Sequence, residues 1–183
     1  MNNKENTIID IDELIPKLQS KDSENMKLTR VMQFTFTAII LLFSTIFIIN
    51  PYTESGINFR LSSAFCIAGF GIFFLYFSYY YQQYKRVNYS ESVRSVLQSA
   101  VKRFKFWHSN IIISFIAIIL ICIGIGYMII PILPEPWSYI IAILSVLLFL
   151  GAFSSGFYVG YKQWLNDSKP LWIAANNLLE ELK

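Results

Sequence analysis

Four long uncharged runs constrain this chain more than any other feature of its sequence. They extend over residues 31–53, 61–84, 106–134 and 136–161, and none of them contains Asp, Glu, Lys or Arg. About 20 helical residues cross the hydrocarbon core of a bilayer, so each run is long enough to span it. Lipid offers backbone N–H and C=O groups no partners, and a helix satisfies these groups internally. The runs therefore predict an all-α integral membrane protein with four transmembrane helices.

The polar connectors divide the chain into five predicted segments. These are an amino-terminal cytoplasmic segment (1–30), a first transmembrane hairpin (31–84), a basic cytoplasmic connector with an amphipathic helix (85–105), a second transmembrane hairpin (106–161) and a carboxyl-terminal cytoplasmic amphipathic helix (162–183). We expect the two hairpins to pack into a four-helix bundle. Similar residues recur at spacings of roughly 77 to 80 positions, so the hairpins are either a tandem repeat or two unrelated pairs of helices.

Basic residues lie almost entirely on one side of this four-span layout. Of the 15 Lys and Arg residues, five fall in 1–30, six in 85–105 and three in 162–183, and only Arg60 lies in a hairpin turn. Loops rich in Lys and Arg stay on the cytoplasmic side of a membrane. Both termini and the connector are therefore predicted to be cytoplasmic. The candidate membrane-surface cations of the connector are Lys85, Arg86, Arg94, Lys102, Arg103 and Lys105.

Amphipathic patterns occur in the connector and in the tail. In the connector, Ser90 is predicted to cap a helix whose apolar residues from Val93 to Phe104 share one face. Because the charges of that helix are basic, we expect it to lie on the bilayer. The tail carries Asn and Glu opposite its apolar stripe, which favours protein contact over membrane adhesion. The candidate partner-binding face consists of Leu171, Ala174, Leu178 and Leu182.

Small residues in the fourth run predict a close contact between helices. This ladder consists of Gly151, Ala152, Ser155, Gly156 and Gly160. Small side chains let two helices approach closely within a membrane. The contacting helix is predicted to be another span of the same chain, with the fourth span of a second copy as the alternative. Further glycines are expected to serve close approach in the second and third runs: Gly69, Gly71, Gly124 and Gly126.

Residues with reactive side chains are few. Cys66 and Cys122 lie in apolar runs without a CxxC motif or a neighbouring His, which indicates packing rather than redox or metal chemistry. His108 is expected at headgroup level, at the edge of the third run. The dense aromatic residues from Phe70 to Tyr81 either face lipid or line a cavity. No cofactor, metal site, catalytic residue, nucleic acid or small-molecule substrate is predicted.

The start of the chain resembles a known group of proteins. Ile11-Asp12-Glu13-Leu14 is followed by a polar run from Lys17 to Arg30, which leads directly into the first apolar run. This layout is similar to that of small four-span bacterial inner-membrane proteins of unknown function, some of which are encoded beside sigma factors. The resemblance implies a bacterial inner-membrane location and a regulatory or interaction role.

The sequence as a whole favours a non-enzymatic membrane subunit. Its expected partners are the lipid bilayer and either a protein bound by the cytoplasmic helices or further copies of the chain. The alternative is a small channel or transporter that works as an oligomer. Ion-coupled transport usually places an ionisable residue within the membrane, and the four runs carry no Asp, Glu, Lys or Arg.

Overall fold

The computed structural model describes residues 11–50, 54–106 and 111–182. Every regular element within these ranges is a helix. In chain order they are α1 (Ile11–Ile49), α2 (Glu54–Lys85), α3 (Val93–Arg103), α4 (Ile111–Ile129), α5 (Trp137–Gln163) and α6 (Lys169–Glu181), with a π-helical turn (Trp164–Ser168) that joins α5 to α6. Four helices are long and apolar enough to cross a membrane: α1, α2, α4 and the helix that runs from α5 into α6. The predictions of an all-α protein and of four candidate spans are confirmed.

Two of these helices are much longer than a bilayer requires. Helix α1 has 39 residues, and α5 continues through the π-helical turn into α6 as one helix of 45 residues. Because about 20 residues cross the hydrocarbon core, a large part of each helix projects beyond the apolar run. These projecting parts meet α3 at one end of the molecule. We call this assembly the head, and it comprises residues 11–30, 86–106 and 164–182.

The π-helical turn explains why α6 continues α5 and does not begin as a separate helix with its own cap. Asp167 and Ser168 are possible caps by residue type, but Ser168 makes no capping hydrogen bond. Pro170 has no N–H, and a proline ring crowds the carbonyl four residues before it, which commonly kinks or breaks a helix. In the wide turn the Lys169 N–H bonds instead to the Trp164 carbonyl, five residues earlier. The chain thus passes Pro170 without interruption.

The four spans share one apolar cluster. Helix α2 packs along both α1 and α4, whereas α5 packs mainly on α4. The buried residues of the cluster are Phe73, Ala117, Ile118 and Ile121. Phe149 and Phe153 of α5 also pack against it. Few residues in the apolar parts of α1 and α5 are buried among the described residues.

The aromatic residues of α2 fall into two groups. Three phenylalanines stack on Phe36 of α1 with ring centroids 5.5 to 6.1 Å apart: Phe70, Phe73 and Phe77. Three tyrosines nearer the head line a cavity: Tyr76, Tyr80 and Tyr84. The cavity interpretation of the sequence therefore fits these three tyrosines, and Phe77 lines the same cavity. Phe70 and Phe73 pack between helices, which neither interpretation of the sequence describes.

Helices α2 and α4 approach closely at two glycines. A Cβ on Gly124 would lie 2.6 Å from the Cys66 Sγ and 3.0 Å from the Ser62 carbonyl oxygen. A Cβ on Gly69 would lie 2.8 Å from the Ala117 carbonyl oxygen. Distances this short leave no room for a side chain. The predicted close approach is confirmed at these two positions.

The other small residues of the spans face open space. A Cβ would meet no atom within 4 Å at Gly71, Gly126, Gly151, Gly156 or Gly160. Ala152 and Ser155 are exposed. Within the described ranges, then, no other helix packs on the ladder of α5, which turns its phenylalanines toward the shared cluster instead. Contact with the fourth span of a second copy stays a prediction, and the expected close approach at Gly71 and Gly126 is not found.

Candidate functional site in the head

The head has an apolar core of its own. Leu14 and Leu18 of α1, Leu97 and Ala100 of α3, and Ala175 of α6 are completely buried there. A spacing of three or four residues places the buried side chains of a helix on one face. This core brings the connector and both described ends of the chain to the same end of the molecule.

Helix α3 turns its apolar face toward this core. Leu97 and Ala100, which were expected to face lipid, are covered by the neighbouring helices of the head, and α3 packs along α6. The prediction of a helix lying on the bilayer through this face is therefore corrected. The helix is capped by Ser92, whose Oγ accepts a hydrogen bond from the Ser95 N–H at 3.4 Å, and not by Ser90.

A buried ion pair joins α1 to the end of α3. Arg103 donates a hydrogen bond to Asp22 at 2.8 Å, and the two side chains are only 7% and 5% exposed. Tyr89 donates its hydroxyl to the same carboxylate oxygen. Burial raises the pKa of Asp22, while the Tyr89 hydroxyl and the Arg103 guanidinium act to lower it. Removing either partner while the head stays packed would leave the other charge buried without compensation, which is strongly unfavourable.

The burial of Arg103 corrects one of the predicted membrane-surface residues. The remaining cations of that set are exposed: Lys85, Arg86, Arg94, Lys102 and Lys105. Arg103 instead lies inside the head, because the Asp22 carboxylate compensates its charge there. The connector therefore offers five exposed cations at the surface.

A second polar link fastens the π-helical turn to α1 and α3. The Lys21 ammonium donates to Glu24 at 2.8 Å and to Asp167 at 3.1 Å. Burial acts to lower the pKa of Lys21, but the two carboxylates outweigh it, and this pKa lies above its ordinary value. The Trp164 indole N–H donates to the Phe104 carbonyl at 2.8 Å. The turn is thus held from two sides.

The predicted partner-binding face of the tail lies largely inside the head. Leu171, Ala174 and Leu178 pack against the head core, and only Leu182 stays at the surface, 44% exposed. These three side chains are half-buried, so α1 and α3 leave little of the stripe at the surface, and binding of a partner along the whole stripe stays a prediction. The polar residues opposite the stripe indicated contact with protein and not with lipid. The protein that the stripe contacts is the head of the same chain.

A cavity of about 350 Å³ lies where the head meets the spans. Charged residues from the head line one part of it: Lys21, Glu24, Arg103 and Lys105. Aromatic residues from α2 and α5 line another part: Tyr76, Phe77, Tyr80, Phe157 and Tyr161. The cavity is therefore polar toward the head and largely apolar toward the spans.

Asp22 and Tyr89 hold α1 and α3 together in the head, although neither residue belongs to a motif that marks it in the sequence. Their hydrogen bond joins positions 67 residues apart, and the ion pair of Asp22 with Arg103 joins positions 81 residues apart. One signal was present in the sequence. Asp22 follows Leu14 and Leu18 at intervals of four residues, which places it on the buried face of α1.

The cysteines occupy the packing positions predicted for them. Cys66 is buried where α2 approaches α4, and Cys122 packs against the shared cluster of the spans. His108 lies in 107–110, outside the described residues. Elsewhere in the chain, as far as the structure describes it, no group of three or more His, Cys, Asp or Glu side chains could hold a metal ion.

Comparison with known proteins adds no relative to this picture. No protein-family model matches the chain, and no curated protein or solved structure is significantly similar to it. The resemblance to small four-span bacterial inner-membrane proteins rests on the layout of the sequence.

Proposed function

We propose that this chain is a non-enzymatic integral membrane subunit, interactive or regulatory in role, that binds a protein partner through its head. The observation that carries the proposal is the construction of the head. Its three helices enclose a core, a buried ion pair ties two of them together, and two of the helices continue into spans. Because two helices of the head continue into spans, a movement of the head on binding a partner would also move the spans.

The proposed orientation places the head in the cytoplasm of a bacterium, with the spans as a four-helix bundle in the inner membrane. The distribution of basic residues supports this side, since 14 of the 15 Lys and Arg residues fall in the three polar segments that contribute to the head or flank it. Cytoplasmic loops carry such an excess. The bacterial location rests on the resemblance in layout.

The surface proposed for the partner is the outer face of α6. Because α1 and α3 cover the inner stripe, the exposed side of α6 presents Ile173, which is 41% exposed. Lys169, Asn177 and Glu180 lie on the same side of the helix and are exposed. A single apolar side chain among polar ones suits a protein surface, whereas lipid would favour a continuous apolar stripe flanked by cations.

The test compares two substitutions that add the same charge to exposed positions of the head. Ile173→Arg alters the proposed surface, and Gln98→Arg on α3 is its control. After cross-linking in native membranes and purification in mild detergent, we expect the unaltered chain and Gln98→Arg to retain a stoichiometric protein partner. Ile173→Arg should retain about tenfold less, as for an interface anchor residue, with an unchanged folded yield.

Two results would contradict the proposal. One is a chain that purifies without any stoichiometric partner after cross-linking. The other is a chain that purifies only with copies of itself and passes ions across vesicle membranes, which would favour the alternative of an oligomeric channel or transporter.

A further inference from the structure

The cavity between the head and the spans has the size and composition of a binding site. Its volume of about 350 Å³ falls in the range of roughly 300–1,000 Å³ that is usual for small-molecule sites. Lys21, Arg103 and Lys105 line the part formed by the head, while Phe77 and Phe157 line the part formed by the spans. An occupant that suits both parts is anionic at one end and apolar at the other.

Two of the three cations are held rigidly in place. Arg103 is fixed by Asp22, and Lys21 is fixed by Asp167 and Glu24. Asp22 and Asp167 are not among the described residues that line the cavity. Preorganised side chains lose little freedom when they bind a ligand, which improves affinity.

The lining also offers hydrogen-bond donors to an anion. Lys105 is exposed and takes part in no ion pair among the described residues. The described lining holds one carboxylate, that of Glu24. Lys21 and Arg103 are also paired with Asp167 and Asp22, so Lys105 supplies the charge that no ion pair balances among the described residues. Phosphate oxygens accept hydrogen bonds from both ammonium and guanidinium groups.

We propose that this cavity binds the headgroup of an anionic phospholipid from the surrounding bilayer. The phosphate lies among Lys21, Arg103 and Lys105, and the first carbons of an acyl chain lie along Phe77 and Phe157. The site goes beyond the proposed partner binding, because it faces the spans and not the outer side of α6.

The position of the cavity favours a lipid over a free phosphate ion. Phe106, Tyr161 and Trp164 line the cavity, and their rings contact one another at centroid distances of 5.0 to 6.1 Å. Tyr and Trp collect at the level of lipid headgroups in membrane proteins. The apolar part of the lining would contribute nothing to the binding of a small inorganic ion.

Two pairs of matched variants test the site. Gly160 lines the cavity, and a Cβ there would meet no atom within 4 Å, so Gly160→Leu places a side chain in free space within the site. Gly151→Leu is its control, because Gly151 on the same helix has equally open surroundings and is not part of the lining. Lys105→Gln removes a cation of the site, and Lys85→Gln removes an exposed cation outside it.

The full chain, purified in a neutral detergent and depleted of lipid, is titrated with phosphatidylglycerol, phosphatidylcholine or inorganic phosphate. Binding is followed by thermal unfolding and by native mass spectrometry. Phosphatidylglycerol is expected to bind and to raise the unfolding temperature, phosphatidylcholine to do so far less, and phosphate not at all. Gly160→Leu and Lys105→Gln should each weaken phosphatidylglycerol binding by about fivefold, while both controls bind as the unaltered chain does.

Three results would overturn the proposal: equal binding of the two phospholipids, binding of inorganic phosphate with no effect of lipid, or equal losses in the site variants and their controls. Lys105→Gln keeps the test decisive if Gly160→Leu fails to fold, because Lys105 is exposed and unpaired within the described chain. The measurement uses the isolated chain, so its outcome does not depend on whether a protein partner exists.

Discussion

At the scale of single residues, Gly124 sets the distance between two membrane helices. Its missing side chain lets the backbone of α4 approach the Cys66 thiol and the Ser62 carbonyl of α2. Between helices in lipid, where hydrophobic exclusion from water gives no advantage, such close packing is a main source of association. Gly126, two residues further along α4, faces open space and provides an internal comparison.

We expect Gly124→Ala to destabilise the protein, because the added Cβ would force α2 and α4 apart. The cost of overpacking is about 1–3 kcal/mol, which thermal unfolding of the purified protein in detergent would show as a lower midpoint. Gly126→Ala should leave the midpoint unchanged or slightly higher. Equal midpoints for the two variants would mean that α2 and α4 are not in close contact at this position.

At the scale of elements, α3 and α6 show how far an amphipathic pattern can be interpreted. Helices occur in both regions where apolar residues recur at three- and four-residue intervals. Such a pattern indicates that one face of the helix is covered by an apolar surface. Lipid, a partner protein or another segment of the chain could each provide that surface. The two stripes help to cover each other in the head core. That contact joins distant parts of the sequence, so no local pattern could specify it.

The four candidate spans could be predicted because the length and the lack of charge of a single local run are sufficient to identify a candidate transmembrane helix. The cavity as a whole could not, because its lining combines residues from α1, α2, α3, the segment after α3, α5 and the π-helical turn. The same holds for the ion pair of Asp22 with Arg103, two residues that are ordinary in their local sequences. Small residues show where another helix could approach closely, but they do not show whether one does. They identified Gly69 and Gly124 correctly, yet a Cβ at the glycines of the α5 ladder would meet no atom within 4 Å.

The packing of α6 predicts different consequences for two neighbouring substitutions. Ala175 is completely buried in the head core, so Ala175→Asp would place a carboxylate among apolar side chains at a cost of several kcal/mol. Asn177→Asp, at an exposed position, introduces the same side chain into water. We expect rapid proteolysis of the head and a lower unfolding midpoint for the first variant alone. Similar behaviour of the two variants would contradict the buried position of α6.

Removal of residues 171–183 follows the same reasoning. The deletion takes away α6 and uncovers Leu14, Leu97 and Ala100, which belong to the same apolar core. The head should therefore lose its fold, and any loss of a protein partner by the truncated chain would have this structural cause. Point substitutions on the outer face of α6, such as Ile173→Arg, avoid that ambiguity.

At the scale of the whole molecule, the head and the Glu135 turn lie at opposite ends, and this geometry yields a topology test. Single cysteines are placed at Ser92, Asn177 or Glu135 in a chain in which Cys66 and Cys122 are replaced by Ala. An impermeant thiol reagent applied to intact cells should label the cysteine at Glu135 and leave the other two unlabelled until the membrane is permeabilised. The reverse pattern would place the head outside the cell, and the chain without cysteines controls for background.

The helix from Trp137 to Glu181 is continuous, so a change of its tilt in the membrane would move its end in the head. Its 45 residues have a length of about 67 Å at ~1.5 Å per residue. A transmembrane helix adapts its tilt to the thickness of the surrounding bilayer. If this helix pivots at the middle of its apolar run, a tilt of about 10° moves its far end near Glu181 by about 8 Å, given the same rise per residue. A thinner or thicker membrane would thus be converted into a lateral displacement of the surface that α6 presents.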